Sequence, residues 1–379
     1  MSNDNVILPP AMLGMLGGGQ LGRFFVMAAH EMGYHVTVLD PDKNSPAGKL
    51  ADVHLCTAYD DAAALETMAA SCAAVTTEFE NVPAGTLEYL ARTRPVRPSA
   101  KAVAIAQNRI LEKNFIRDAG LPVAPFVVIE TVTDLPADGS EYYPGVLKVA
   151  RFGYDGKGQA RVSTKAEAGV AFAGFKGEQC VLEKMLELDY EVSVILARDA
   201  EGTIASFPTA ENIHLHGILD TSIVPARAPE AIHGKAHQLA MLLAEQLEYV
   251  GVMAVEFFVT DGQLVINEMA PRPHNSGHFT IDACVTSQFE QQVRTLTGLP
   301  LGDARMHSFA VMVNILGDIW ANGEPAWGKA LEHAQLKLHL YGKHEARAGR
   351  KMGHFTLLGR DVETVAAQAL LARTDLGIE

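Results

Sequence analysis

The stretch that decides the fold is Leu264 to His278, LVINEMAPRPHNSGH, read with Val252 to Thr260, VMAVEFFVT, which precedes it across an Asp261-Gly262 turn. Both runs are apolar and rich in β-formers, yet Glu256 interrupts the first and Glu268 the second. An uncompensated carboxylate in such surroundings is costly to bury, so the pair calls for a cation. Oxygen ligands on neighbouring strands suit Mg²⁺ or Mn²⁺, and Mg²⁺ in particular takes one or two protein carboxylates and completes its shell with water and substrate phosphates. A hairpin with two solvated acids is the plainer alternative. Shared ligation requires residues 256 and 268 on one face. A two-residue turn followed by regular pairing would set Glu256 opposite Asn267 and turn Glu268 away. An odd-length loop, or a bulge with Gly262 in the left-handed conformation, is therefore expected. Beyond the second acid, Arg272, His274 and Asn275 stand among two prolines and a glycine, which hold them on stiff backbone.

At 379 residues a single core is not expected, and two or three domains are. The formal net charge of -14 argues against a nucleic-acid or anionic-membrane partner, since both need a clustered positive field. Any anionic ligand must meet locally grouped Arg and Lys. Cys56, Cys72, Cys180 and Cys284 form no C-x-x-C pair, so free thiols in a reducing compartment are expected, without zinc or redox chemistry. The N-terminal MSNDNVILPP has no basic n-region and two prolines break its apolar stretch, so a cytoplasmic protein is expected, and no apolar run is long enough to span a bilayer.

Met12 to Leu16 reads as a buried strand, GGGQLG follows, and Arg23 to Met32 has helical spacing before a strand at Tyr34 to Leu39. Gly17, Gly19 and Gly22 match G-x-G-x-x-G, and Asp40 stands where a dinucleotide fold places its ribose-binding acid. The same glycines also serve simple strand-to-helix packing or a monophosphate. A helix near Asp61 to Ala70, a strand at Ala73 to Thr77 and a helix at Pro83 to Ala91 continue the rhythm of a parallel sheet to about Pro98. Glu78, Phe79, Glu80 and Asn81 follow a strand's carboxyl end, where open α/β sheets bind ligands. Ser99 caps one long helix, KAVAIAQNRILEKNFIRDAG, ending at Gly120 and carrying Arg109.

From Val123 the pattern turns to short strands, and between two of them lies RFGYDGKGQ, Arg151 to Gln159, an amide-rich cationic flap of the kind that closes over nucleotide phosphates. It is not a Walker A loop. Lys148 stands on the preceding strand, and Glu183 and Glu191 are eight residues apart across a turn, a spacing that could hold an adenine amino group and a ribose hydroxyl. His214 and His216 in ENIHLHGIL have no partners that complete a tetrahedral zinc set. KHEARAGRK, with Lys343, Arg347, Arg350 and Lys351, is the densest basic cluster in an acidic chain and suits an anionic substrate.

The combination of GGGQLGR, TTEFENV, RFGYDGKGQ, LEKML with YEVSV, NIHLHGIL, the Glu256 and Glu268 pair, and APRPHNSGH resembles the N5-carboxyaminoimidazole ribonucleotide synthetase family, ATP-grasp ligases of microbial purine synthesis. The resemblance runs nearly end to end. It implies an α/β ATP-grasp fold with an N-terminal, Rossmann-like preATP-grasp domain at 1–98, an ATP-grasp domain at 99–300 with a mobile lid at about 123–200, and a small C-terminal β-rich domain at 301–379. It implies that 5-aminoimidazole ribonucleotide is carboxylated with bicarbonate at the expense of ATP, and that the chain assembles as a homodimer. By the same resemblance, ATP is bound by Arg109, Lys148, Gly153, Tyr154, Asp155, Gly156, Lys157, Gly158, Gln159, Glu183, Lys184, Met185, Leu186, Glu191, His214, Asn267 and Glu268. Glu256 and Glu268 hold Mg²⁺. Gln20, Leu21, Glu80, Lys343 and Arg350 face the ribonucleotide, and Tyr154, Asp155, Arg272, His274 and Asn275 serve the chemistry, Asp155 orienting the amine or relaying its proton. Two positions depart from the pattern: Phe152-Gly153 replaces a glycine pair, and Ala270 stands where many ATP-grasp enzymes have Asn two residues after the second metal acid. Other ATP-grasp ligases, an NAD(P)-dependent oxidoreductase built on Gly17 to Asp40, and a nucleotide-sensing module are the rivals.

Overall fold

The computed structural model describes residues 6–151, 153, 158–321 and 323–378. Three sheets carry it. The first is parallel, in the order Val53–Leu55, His35–Leu39, Met12–Leu16, Ala74–Thr77. Leu13 to Leu16 on an inner strand and Ala74 to Thr77 on the edge strand are buried on both faces, which is why they read as continuous runs without alternation. The strand order reverses between Met12–Leu16 and Ala74–Thr77, so the glycine loop after the one and Glu78 after the other open on the same crevice. The helix after the glycine loop spans Gln20–Glu31, starting three residues before the apolar spacing suggests.

The single helix expected from Ser99 to Gly120 is two, Ala100–Ala106 and Arg109–Asp118. Asn108 divides them. Its backbone is extended (φ -128°, ψ 110°), and its Oδ1 accepts from the amides of Ile110 at 2.9 Å and Leu111 at 3.4 Å. Asparagine offers the backbone this alternative to the helix, and apolar periodicity alone does not report it. The break makes Arg109 the first residue of a new helix, with its amide on the Ala150 carbonyl at 2.8 Å.

A four-stranded antiparallel sheet, Phe126–Ile129, Cys180–Lys184, Gly145–Val149 and Gln159–Val162 in spatial order, forms a separate layer with the helix Lys165–Gly174 packed on it. The central sheet has nine strands. It runs from Gln263–Ala270 through Gly251–Thr260, Tyr190–Arg198, Ala210–Leu215 and Ile218–Val224, and then directly into Phe309–Leu316, Lys351–Gly359 and Leu336–Leu340, with Ile204–Ser206 beside Tyr190–Arg198. The C-terminal strands thus extend the central sheet, and the helix Val362–Leu376 covers their apolar face. A stacked seam joins them to the first sheet: Phe24 packs on Phe289 and Tyr341, and His278 stacks on His354 at 4.6 Å between centroids. Burial holds both imidazoles well below their ordinary pKa, so the stack is neutral. Among the described residues no helix is long and apolar enough to cross a membrane.

The hairpin that carries Glu256 and Glu268 solves its register in an unexpected place. Thr260 pairs with Gln263, so the loop is the two residues Asp261 and Gly262, with φ of 49° and 67°, the all-left-handed turn that Asp-Gly favours because its twist matches the strands. The expected odd-length loop is absent. Pairing stays regular to Phe257 with Ile266, then shifts, and Glu256 faces Glu268 with Asn267 as the extra residue. The bulge that puts both acids on one face lies well inside the strand.

An extra residue leaves ladder groups without strand partners, and two adjacent charged residues meet that need. Lys113 Nζ donates to the Asn267 carbonyl at 2.8 Å, and Glu112 Oε1 accepts from the Met269 amide at 2.7 Å. Lys113, with no exposed side chain, also lies 3.2 Å from Glu183 Oε2, which Lys148 Nζ reaches at 3.0 Å. Burial pushes the Glu183 carboxyl up, but Lys113, Lys148 and Arg109 overcome it and hold it at about 2. Because that value lies below the ordinary 4.5, the carboxylate's stabilisation is complete above pH 4.5 and fades as pH falls toward 2. Glu183→Gln, which leaves two buried ammonium groups short of a partner, should cost about 3 to 5 kcal/mol at pH 7. Urea unfolding of both proteins should show that deficit shrinking between pH 4.5 and 2, and a deficit independent of pH would reject the charge assignment.

Candidate active site

A cleft of about 1290 Å³ lies between the four-stranded antiparallel sheet, the bulged hairpin, the glycine loop and the basic C-terminal turn. Every described residue expected to serve the site lines it. From the helix Gln20–Glu31 come Gln20 and Leu21, and from the loop after Ala74–Thr77 comes Glu80; from the helix Arg109–Asp118 comes Arg109; from the four-stranded antiparallel sheet and its loops come Lys148, Gly153, Gly158, Gln159, Glu183, Lys184, Met185 and Leu186. The central sheet contributes Glu191, His214, Glu256, Asn267 and Glu268, the following loop Arg272, His274 and Asn275, and the C-terminal turn Lys343 and Arg350. Tyr154, Asp155, Gly156 and Lys157 lie outside the described residues, as does Phe152.

The glycine loop is not a dinucleotide site. Glu78 accepts from the Gly19 amide and from the Gly22 amide at 2.7 Å, while Asp40 accepts from the Gly18 amide and the Tyr59 hydroxyl, each at 2.7 Å. The amides that a pyrophosphate would need are already taken by the chain's own carboxylates. A Cβ on Gly19 would stand 2.5 Å from Glu78 Oε1, so this glycine is required by the approach of an internal acid. Asp40, read from the sequence as a possible ribose ligand, is part of that packing.

On the floor, burial and then the neighbouring charge of Glu268 push the Glu256 carboxyl up to about 7. His274 Nε2 lies 3.4 Å from Glu256 Oε1, and Arg109 Nη1 3.6 Å from Glu268 Oε2. Asn267 Oδ1 is buried without a hydrogen-bond partner beside them. Two hard carboxylates on one face, one of them pushed toward its protonated form by burial and by the charge of the other, fit a divalent ion of the Mg²⁺ class. Glu256 and Glu268 could hold it.

The remaining charges are sorted by surroundings. Glu183 and Glu191 play separate roles, since the first is locked between two lysines and the second lies 3.0 Å from His214 Nδ1. Burial lowers the His214 pKa, but Glu191 and Glu256 reverse the shift and raise it. Arg272 Nε donates to Glu80 Oε2 at 2.6 Å, which sets the guanidinium beside the acid pair. Lys343 donates to the Lys351 carbonyl at 2.6 Å and Arg350 to the Glu345 carbonyl at 2.8 Å, bonds that shape the basic turn toward the cleft.

Sequence reasoning passed over Glu112 and Lys113. A signal was present: positions 112, 113 and 116 form the buried face of their helix, so the stripe that should be apolar carries two opposite charges.

The relatives of the chain accord with this geometry. A model of the ribonucleotide synthetase preATP-grasp domain matches residues 11–107, the ATP-grasp domain matches 114–289, and a phosphoribosylaminoimidazole carboxylase C-terminal domain matches 310–368. The N5-carboxyaminoimidazole ribonucleotide synthase of Bacillus subtilis (strain 168) is 44% identical over 360 residues, covering 94% of this chain and 93% of its own. That of Brucella melitensis biotype 1 is 46% identical over 352 residues, covering 92% and 96%. The chain belongs to the N5-carboxyaminoimidazole ribonucleotide synthase family. A crystal structure of an N5-carboxyaminoimidazole ribonucleotide synthetase in its ADP complex covers all of both chains at 43% identity with a TM-score of 0.92. The Aspergillus clavatus N5-carboxyaminoimidazole synthase, solved with ADP and 5-aminoimidazole ribonucleotide, is 30% identical, covers 97% of this chain and 98% of its own, and has a TM-score of 0.87. Like the rest of this synthase family, the chain has the ATP-grasp fold and is an ATP-grasp ligase.

ATP and a dinucleotide are therefore separable by binding. At a hundred times its dissociation constant MgATP should stabilise the protein by about 2.7 kcal/mol, visible as a rise in Tm, whereas NAD⁺ and NADP⁺ at equal concentration should leave Tm unchanged. A dinucleotide shift equal to that of MgATP would reopen the glycine loop as a ligand site.

Proposed function

We propose that this chain carboxylates the exocyclic amine of 5-aminoimidazole ribonucleotide with bicarbonate, converting ATP to ADP and phosphate in purine biosynthesis. The observation that carries this reading is the meeting, in one cleft, of the acid pair Glu256 and Glu268, the buried cation Lys148, and the basic turn of Lys343 and Arg350. The basic turn lies outside the lid and hairpin that would take ATP, so the cleft has room and charge for a second phosphorylated ligand.

In this reading a bicarbonate oxygen attacks the γ-phosphorus, the bond to the β-phosphate oxygen breaks, and ADP leaves. The resulting carboxyphosphate presents its carbon to the amine; the N–C bond forms, the C–O bond to phosphate breaks, and the amine gives up a proton. A divalent cation held by Glu256 and Glu268 would supply charge neutralisation for the phosphates when bound. The chain's own residues position and neutralise. Lys148, held by Glu183, and Arg109 face the phosphates, Arg272 is held by Glu80 for the carbonate oxygens, and Asn275 offers a side-chain amide whose Oδ1 and Nδ2 are both buried without a partner. Such an amide is stable only where a ligand or water completes it. Tyr154 and Asp155 belong to this reading as the groups that orient the amine. A cytoplasmic homodimer using Mg²⁺ completes it.

The test is ADP release, which should require 5-aminoimidazole ribonucleotide and bicarbonate together; equal release without the ribonucleotide would reject the acceptor. Arg350→Ala should raise the KM for the ribonucleotide by about ten- to a hundredfold, the worth of a hydrogen bond to a charged group, with the KM for MgATP near wild type. Glu268→Gln should abolish turnover. A loss of ATP affinity in the Arg350 variant with unchanged ribonucleotide affinity would overturn the placement of the acceptor phosphate.

A further inference from the structure

Behind His274 runs a buried chain of side-chain hydrogen bonds that the proposed reaction does not yet use. The Ser222 hydroxyl donates to Asn212 Oδ1 at 2.8 Å, Asn212 Nδ2 donates to Ser193 Oγ at 2.9 Å, Ser193 Oγ lies 2.8 Å from Ser276 Oγ, and Ser276 Oγ lies 2.9 Å from His274 Nδ1. The three serines have no exposed surface and Asn212 has 4%. Three adjacent strands and one short turn supply these four residues, beside the aliphatic side chains of Ile195, Ala210 and Val224. The chain ends on His274, whose imidazole both touches Glu256 and lines the cleft.

We propose that this chain, with Ser276 as its last member, fixes His274 in the neutral tautomer that carries its hydrogen on Nε2, so that the ring serves the reaction as an N–H donor. The direction of the chain follows from its two ends. At one end Asn212 Nδ2 can only donate, so Ser193 accepts from it; at the other an accepting Nδ1 takes the Ser276 hydrogen, which leaves Ser193 as the donor to Ser276. The backbone gives an independent constraint. The Ser276 amide approaches His274 Nδ1 at 3.3 Å, and an amide has only a hydrogen to offer. Nδ1 is therefore an acceptor, shared between the hydroxyl and the amide, and the ring hydrogen stands on Nε2. A hydrogen on Nδ1 would meet the Ser276 amide hydrogen head on.

The consequence is a donor aimed into the cleft. Nε2 lies 3.4 Å from Glu256 Oε1, and with substrates present the same N–H is offered to an oxygen of the carboxyl group in transfer. A preorganised neutral imidazole stabilises developing negative charge without a change in its own protonation. Ser276, Ser193, Asn212 and Ser222 are positioning residues: they touch no reacting atom and act through His274. This inference rests on the reaction proposed above only for what the donor faces.

Two measurements test it, and one needs no substrate. With ring-¹⁵N histidine in the full-length protein, the His274 signals, identified by their loss in His274→Gln, should show hydrogen on Nε2 and a bare Nδ1; a ring with hydrogen on Nδ1 overturns the proposal. The second is kinetic. A glutamine amide reaches the place of Nε2 and an asparagine amide that of Nδ1. His274→Asn should lower kcat by about a hundredfold, the usual loss of one donor to a developing anion, and His274→Gln by about tenfold or less, with the KM for ATP unchanged in both. Equal losses in the two variants overturn the donor role. Ser276→Ala should lower kcat by about tenfold at unchanged KM for ATP; wild-type kcat there overturns the role of the chain. If Ser276→Ala does not fold, the tautomer measurement and the glutamine and asparagine pair still decide. If the wild-type protein fails to turn over the ribonucleotide, the proposed reaction falls while the tautomer measurement stands.

Discussion

The bond from Lys113 Nζ to the Asn267 carbonyl, together with the approach of the same ammonium to Glu183, ties three elements that are far apart in sequence. One end holds the strand Cys180–Lys184 of the four-stranded sheet, the other holds the extra residue of the hairpin, and the lysine itself belongs to the helix Arg109–Asp118. Without the bulge the two carboxylates would point to opposite faces of the sheet. Without a donor for the carbonyl the bulge would bury an unsatisfied group. Burying a lysine is costly alone, and Glu183 offsets it; Glu183 in turn holds Lys148 at the cleft. One buried ion network therefore sets the register of the floor and the placement of a cation in the wall.

The electrostatics of the cleft follow from a chain that carries a net charge of -14 and yet receives anions. It concentrates cations locally and pairs them with acids. Arg272 has Glu80, Lys148 has Glu183, and Arg109 faces Glu268. Burial keeps imidazoles neutral both at the cleft and in the stacked seam: His274 in the one, His278 and His354 in the other, all have their pKa pushed well below the ordinary range. His214, beside Glu191, moves the other way. Histidines of one chain thus take two different states because their neighbours differ, and nothing in the local sequence of APRPHNSGH or NIHLHGIL separates His274 and His278 from His214.

The glycine loop shows how a motif can be geometrically sound and chemically reassigned. Its turn, its helix N-terminus and its place after a parallel strand agree with a phosphate-binding loop. The loop amides nonetheless bond to Glu78 and Asp40, so the positive end of the helix serves the packing of the first domain. The same crevice still leads into the cleft, through Gln20 and Leu21 on one side and Glu80 on the other.

The sequence by itself determined the periodic and the local. The strand Met12–Leu16, the alternation of the first sheet, the short strands after residue 123, the place of the turn at Asp261-Gly262 and the cap at Ser99 follow from residue spacing and turn chemistry over a few positions. The motif set was enough to name the family and to pick out residues that line one cleft. The tertiary structure alone decided the rest: that Asn108 breaks a helix whose apolar spacing runs through it, that the bulge sits at Asn267 and not at the turn, that Glu112 and Lys113 are structural, and that strands after residue 308 continue the central sheet. Each of these turns on a partner distant in sequence, or on a choice between two hydrogen-bonding arrangements of nearly equal local energy. Spacing cannot report such a choice, because the partner that settles it is brought near only by the fold.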